Sequence, residues 1–171
     1  MFFLPTLCTP TAGESLSLQE ANGVVANGHI IRKAARNGTL GDMLRGRKLA
    51  LLADFDNKPD VLLFVRAATE MGAQVARLRP GLSTESSEQE VQSTARMLGQ
   101  LYHALECQGL DLHLAKQIAL YAGIPVFRGL ASAQHCTALL APQLADPSDC
   151  DNASTDARCR VVQAVLLGTL T

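Results

Sequence analysis

The sequence contains no tryptophan, and aromatic residues make up only 4% of its 171 positions. Aromatic stacking platforms for single-stranded nucleic acid are therefore not to be expected. Basic charge is not in excess either. Fifteen Lys and Arg stand against 16 Asp and Glu, a formal net charge of −1, which removes the electrostatic footprint of a nucleic-acid binder. No apolar run reaches the ~18–20 residues of a membrane span. The apolar start, "MFFLPTLC", lacks the basic flank and full apolar core of a signal peptide. Cys8, Cys107, Cys136, Cys150 and Cys159 are scattered, odd in number and never spaced C-x-x-C. That spacing offers no zinc site and points to a reduced, cytoplasmic chain. No metal or other cofactor is expected, and neither nucleic acid nor membrane is expected as a partner.

What is present has the composition of a globular fold, 47% apolar and 18% charged, in a chain long enough for one domain with a full core. Ser17 and Glu20 have capping-box spacing and open a helix over 17–36, whose stripe runs Val24, Ile31, Ala35 beside Val25 and Ile30. Its two interior glycines, Gly23 and Gly28, each weaken a helix by roughly 1 kcal/mol relative to Ala. Strand and helix patterns then alternate: strands over 48–52, 73–78, 102–107 and 124–127, helices over 59–71, 88–101, 111–122 and 133–141. Such alternation predicts βαβ units, a parallel sheet of about four strands and right-handed crossovers. Residues 142–155 carry two prolines and three aspartates without apolar periodicity, and read as an acidic linker. Residues 156–170 then form an amphipathic helix whose Val161, Val162, Val165, Leu166 and Leu170 need a surface to cover. The expected organisation is one unit over 1–171, with a core at 17–141, the linker, and a C-terminal packing helix.

Several words of this sequence resemble the carbamoyl-phosphate-binding half of the aspartate and ornithine carbamoyltransferases. They are "LRGRKLALL" (44–52), "FVRAATEMGAQVARLRPG" (64–81), "STARMLGQLYHAL" (93–105) and "LAKQIALYAGIPVFRGLA" (114–131). The last helix is similar as well. "DARCRVVQA" (156–164) matches the family's E-N-R-x-x-x-x-K-A, with Arg158 and Ala164 in place and Gln163 where Lys is usual. The resemblance implies a three-layer α/β sandwich. It also implies that the family's second domain, which binds the amino acid, is missing between the linker and the last helix.

The family's phosphate loop, S-T-R-T-R, uses backbone N–H groups, hydroxyls, arginines and a helix dipole to hold an anion. On those five positions stand Asn57, Lys58, Pro59, Asp60 and Val61. Pro59 has no N–H to offer, and Asp60 supplies negative charge to the helix start from within the chain. Asp54 and Asp56 add to the acidity. Gln108 stands where the resemblance expects a phosphate-binding arginine, and is read as a solvated strand-end residue. In the family's H-P-x-Q motif His135 is kept, while Cys136 and Ala138 replace Pro and Gln. His135 is read as a structural or surface residue. Cys136 beside it is not expected to form a nucleophile–base pair, since neighbours on a helix do not face each other. Around 80–87, where the family sends a basic residue or Gln into a neighbouring site, Thr84, Glu85, Ser86, Ser87 and Glu88 are acidic or neutral. Arg96 persists in a role the resemblance makes structural.

The leading expectation is a carbamoyltransferase-like protein without catalytic residues of its own, serving assembly or regulation. The partner would be further copies of itself, a trimer by resemblance, or an active carbamoyltransferase in a mixed assembly. One alternative is a binder of a small ligand, anion or amine, in the remodelled carbamoyl-phosphate pocket of Asn57, Lys58, Asp60, Gln108 and His135. Another is a carbamoyltransferase completed by a second chain that supplies the amino-acid domain.

Overall fold

The computed structural model describes residues 16–53, 58–79, 81–145 and 153–171; Asp54, Asp56, Asn57, Cys8 and Cys150 lie outside them. Helix α1 (Leu18–Arg36) opens on Ser17, whose hydroxyl accepts the Glu20 N–H while the Glu20 carboxylate accepts the Ser17 N–H. Strand β1 (Lys48–Ala53) is buried from Leu49 onward. Next come α2 (Pro59–Glu70), β2 (Gln74–Leu78), α3 (Glu88–Leu101), β3 (Ala104–Gln108), α4 (Leu112–Ala122) and β4 (Val126–Arg128). A 3-10 turn (Cys136–Leu140), the single-turn α5 (Ala141–Leu144) and α6 (Ala153–Leu170) complete the order.

All four strands are parallel, in the order β2-β1-β3-β4. Side chains on a strand alternate between its faces, and β1 shows how this divides the core. Leu49, Leu51 and Ala53 join a cluster with α1, α2 and α6, while Ala50 and Leu52 join one with α3 and α4. The result is an α/β sandwich with a helical layer on each side of the sheet. On β3 the same alternation sends Ala104 to the α2–α6 side and Leu105 and Cys107 to the α3–α4 side. Glu106 and Gln108 therefore share the α2–α6 face.

Some expected boundaries move for local reasons. The third strand starts two residues late because Tyr102 still closes α3, its N–H donating to Leu98 O. The fourth starts late because Gly123 ends α4 in the left-handed region and Pro125 offers the ladder only a carbonyl, which accepts the Leu105 N–H. The helix expected over 133–141 is split. His135 is extended and caps a 3-10 turn, and Pro142 restarts the chain as α5, so the first residues of the expected linker are helical.

The larger correction concerns α6. It starts at Ala153 and is enclosed, not amphipathic: buried side chains run from Ala157 and Cys159 through Val161–Leu167 to Leu170. It lies against α1, α2 and α5. From Val161 to Leu167 every residue is buried, as in a helix inside a fold, while Ser154 and Thr155 at its start are exposed. Even its polar Gln163 is buried, with Nε2 donating to Glu70 Oε2 at 2.9 Å.

Candidate functional site

The C-terminal edge of the sheet is where open α/β folds gather ligands, and Lys58, Pro59, Asp60 and Gln108 are placed there. Lys58 is the N-cap residue of α2, extended, with no side-chain capping bond of its own; Pro59 takes the first helical position and Asp60 the next. A Cβ built on Gly109, just past β3, would lie 3.9 Å from Lys58 Nζ, which puts that ammonium over the end of β3. Asp60 does not stand alone at the helix start. Its Oδ1 is 3.2 Å from Arg158 Nη2, and the same Nη2 donates to Ala131 O in the loop after β4. Arg158 thus joins the first turns of α6 and α2 to that loop. Both side chains keep about a third of their surface in water, 27% for Arg158 and 36% for Asp60.

Beneath this pair lies Glu106, with no exposed surface. The Leu130 N–H reaches its Oε1 at 3.1 Å and its Oε2 at 3.4 Å. Burial pushes its carboxyl up to about 8, against the pull of the Leu130 and Gly129 N–H groups and the Gln108 amide, with Asp60 adding to the rise. At neutral pH it is largely a neutral acid. The thiol of Cys107 is driven up to about 12, by burial first and then by Glu106.

Gln108 corrects the sequence reading, and His135 is structural, as one of the two readings had it, and not a surface residue. Gln108 is 8% exposed, not solvated, because its register on β3 turns it inward beside Ala53. Its amide influences Glu106, yet its Nε2 is buried without a hydrogen bond. His135 is 5% exposed and is not a surface residue. Its Nδ1 accepts the Thr137 N–H at 3.3 Å and sits 2.7 Å from Thr137 Oγ1. An Nδ1 that accepts leaves the ring proton on Nε2, and Nε2 is likewise buried without a partner. Burial lowers this imidazole to about 4. At the end of β3 the buried Gln108 amide thus stands beside a neutral carboxyl, and in the loop after β4 the buried, neutral His135 keeps a second N–H without a partner. Cys136 Sγ is 4.0 Å from His135 Nδ1, closer than helix geometry allows, since His135 is a cap and not a helical residue. Thr137 already engages that nitrogen, so no nucleophile–base pair results.

Ala138 is half-buried and lines an apolar groove of about 450 Å³ with Ala133, Ala141, Ala157 and Arg158. Asn57, Asp54 and Asp56 lie outside the described residues. The 84–88 segment does not meet the site's residues in any described contact; it builds a helix start. Ser87 and Glu90 form a second capping box on α3, and Tyr121 Oη lies 2.5 Å from Glu88 Oε1. Arg96 is exposed on α3. One residue central to the site, Glu106, and one pairing were not singled out from sequence. Glu106 left a trace, an acid inside the apolar strand "ALEC". The partnership of Arg158 with Asp60, 98 positions away, left none. Among the described residues no group of three His, Cys, Asp or Glu side chains could hold a metal ion, and no helix is long and apolar enough to cross a membrane.

No family model matches the chain. Comparison with curated proteins finds the ornithine carbamoyltransferase of Haemophilus influenzae, 33% identical over 121 residues, which is 71% of this chain and 36% of that protein. The crystal structure of ornithine carbamoyltransferase from Burkholderia thailandensis superposes with a TM-score of 0.60 at 17% identity, over 74% of this chain and 44% of that one. Aspartate transcarbamoylase from Trypanosoma cruzi, crystallised with carbamoyl phosphate, gives a TM-score of 0.56 at 18% identity, over 84% of this chain and 49% of that one. At such identities the superpositions speak for the fold alone, and the relationship rests on the sequence match. The chain spans a little over a third of the length of the curated relatives it matches. By sequence the chain is a homologue of the ornithine carbamoyltransferases, its fold is the one they share with the aspartate carbamoyltransferases, and it corresponds to a single domain of those proteins, the N-terminal one.

Proposed function

We propose that this chain is a carbamoyltransferase-like domain that does not transfer carbamoyl groups and instead serves assembly or regulation. The observation that carries the proposal is the Asp60–Arg158 pair. A helix N-terminus attracts an anion through its unpaired N–H groups and dipole. Here Pro59 withholds one N–H, Asp60 brings the anion from within the chain, and Arg158 of α6 neutralises it. A phosphate dianion entering this turn would meet a carboxylate already in place. Residues 145–152 are all that joins α5 to α6, far short of the ~50 residues a domain requires. The amino-acid domain that the family resemblance places between those helices has no room there. Carbamoyl transfer with ornithine, aspartate or putrescine as acceptor is the direct test, and turnover by the purified chain would overturn the proposal. Its assembly half is read by mass in solution, where a homotrimer or a mixed complex with a co-expressed carbamoyltransferase is expected. A strict monomer that ignores the co-expressed enzyme counts against it.

A second reading is favoured by one observation, the buried Nε2 donors of Gln108 and His135 with no acceptor. Leaving such groups unpaired costs ~1–3 kcal/mol each, so a small ligand offering acceptor oxygens has a reason to bind. The acidic turn before α2 suggested a cation or amine. The donors and Lys58 favour an acceptor instead. Histidine ring NMR signals recorded with carbamoyl phosphate, phosphate and putrescine separate the cases. Silence of His135 toward all three removes this reading.

A further inference from the structure

The groove of about 450 Å³ beside Arg158 is short of large side chains. Five alanines and Pro142 line it, with Ser154 and Arg158 as its polar members. Ala133 comes from the loop after β4, Ala138 from the 3-10 turn, Ala141 from α5 and Ala157 from α6. Interiors are close-packed, and small side chains on four converging elements leave space for large ones from elsewhere. A dry apolar cavity of ~150 Å³ holds one benzene, so this groove has room for about three groups of that size. Leu139, next in the chain after Ala138, is itself exposed.

The stretch "MFFLPTLC" (1–8) carries five large apolar side chains, Met1, Phe2, Phe3, Leu4 and Leu7, and no charged one. Such side chains gain from leaving water, and Phe64 and Phe127, the phenylalanines among the described residues, are fully buried. Leu16, where the described residues begin, is half-buried against the cluster that α1, α2 and α6 share. The groove belongs to the same layer. Its α5 crosses α1 where Leu144 meets Gly28, ten residues beyond Leu18, or ~15 Å along the helix. The twelve residues from Leu4 to Leu16 reach up to ~40 Å when extended, so the distance is easily spanned. The stretches nearer in the chain suit the groove less. Residues 146–152, "DPSDCDN", hold three aspartates and no large apolar side chain, and Phe55 stands between Asp54 and Asp56. Either would bring carboxylates toward an apolar surface, at a desolvation cost.

We propose that residues 2–4 of this chain fold back into the groove, with Phe2, Phe3 and Leu4 packed against its alanines. The contact ties the residues before α1 to α5 and α6 and covers the apolar side of the Arg158 stem.

The test uses the full chain and its lack of tryptophan. Phe3→Trp, and separately Phe2→Trp, each introduce a single indole. A docked indole emits to the blue of free N-acetyltryptophanamide and is quenched several times less by acrylamide. Adding Ala138→Glu, or Ala133→Glu at an exposed position, sets a carboxylate in the groove. Either change returns emission and quenching to solvated values while far-ultraviolet circular dichroism stays the same. Ala26→Glu, exposed on α1 and not among the lining residues, leaves the indole protected. Solvated emission from both probes overturns the proposal, and the groove then belongs to another occupant. Protection that survives the groove variants also overturns it, since the stretch then docks elsewhere. So does protection that falls on dilution, because the stretch then docks on a second copy. None of these readouts depends on carbamoyl transfer or on the α2 N-terminus.

Discussion

A carboxyl group with no exposed surface and an imidazole nearly as buried set opposite demands on pH. Glu106 has a folded value near 8 against 4.5 for an ordinary glutamate. The folded state therefore binds more protons than the unfolded one between those values, and stability falls as pH rises from about 4.5 to about 8. His135 has a folded value near 4 against 6.5, so its contribution is complete above 6.5 and is lost as pH falls toward 4. Urea unfolding across this range should show a stability maximum on the mildly acidic side of neutral. The alkaline decline from Glu106 is on the order of 3 kcal/mol between pH 5 and 8. Glu106→Gln should flatten that limb and leave the acid limb unchanged; an unaltered alkaline slope would show that Glu106 is not the titrating group. A gentler prediction concerns Asp60 and Arg158. Their pair keeps roughly a third of its surface in water, so solvent screening limits their coupling to ~1 kcal/mol. A double-mutant cycle with Asp60→Asn and Arg158→Gln should return that coupling, and the Arg158 variant should lose more than the Asp60 variant because Ala131 O loses its donor as well.

At the scale of elements, three glycines that look alike in sequence do different work. Gly23 in α1 has open space around a built Cβ, so only helix propensity is at stake and Gly23→Ala should stabilise by ~0.5–1 kcal/mol. Gly28, one turn and a half later, lies under Leu144 of α5, whose flexible end would have to yield. Gly99 is the strict case. Its Cβ would collide with the carbonyl oxygen of Ala122, which is backbone and cannot step aside. Gly99→Ala should force α3 from α4 and cost ~2 kcal/mol or more, read as a drop in the urea midpoint. A neutral outcome would mean the helices separate freely. These contrasts mark what the sequence made legible. Ser17 with Glu20 announced the start of α1, the apolar run after Lys48 announced β1, and Gly123 announced the end of α4, because each signal is local. The inward turn of Gln108 and the burial of His135 were not legible. They depend on strand register and on a cap that only the folded loop after β4 creates. Nor was the enclosure of α6, since Ala157, Cys159 and Gln163 count as neutral or polar in a periodicity and become interior only when α1, α2 and α5 surround them.

For the whole molecule, α6 decides whether the two sides of the sheet are equally finished. The α3–α4 layer completes its own core with Val91, Ala95, Leu98, Leu114 and Ile118. The opposite layer does not: Phe64, Ala67 and Met71 of α2 and Val24 and Ile31 of α1 share a cluster with Val161, Val162, Val165 and Leu166 of α6. Removing α6 would expose both partners at once, strand Glu70 without Gln163, and free Asp60 from Arg158. Each fully buried aliphatic side chain lost is worth ~1.5–3 kcal/mol, so a handful exceeds the 5–15 kcal/mol by which domains are stable. A chain ending at residue 152 should therefore show no cooperative unfolding transition and should bind a hydrophobic dye. A synthetic peptide of residues 153–171, added in excess, should restore the transition, because α6 is one continuous element contacting α1, α2 and α5 and is tied to α5 only by residues 145–152. Restoration should fail for a peptide carrying Val161→Asp and Val165→Asp, which buries charge in the same cluster. If the truncated chain unfolds cooperatively by itself, α6 is an accessory, and the closure of this fold around its own last helix is not what holds it together.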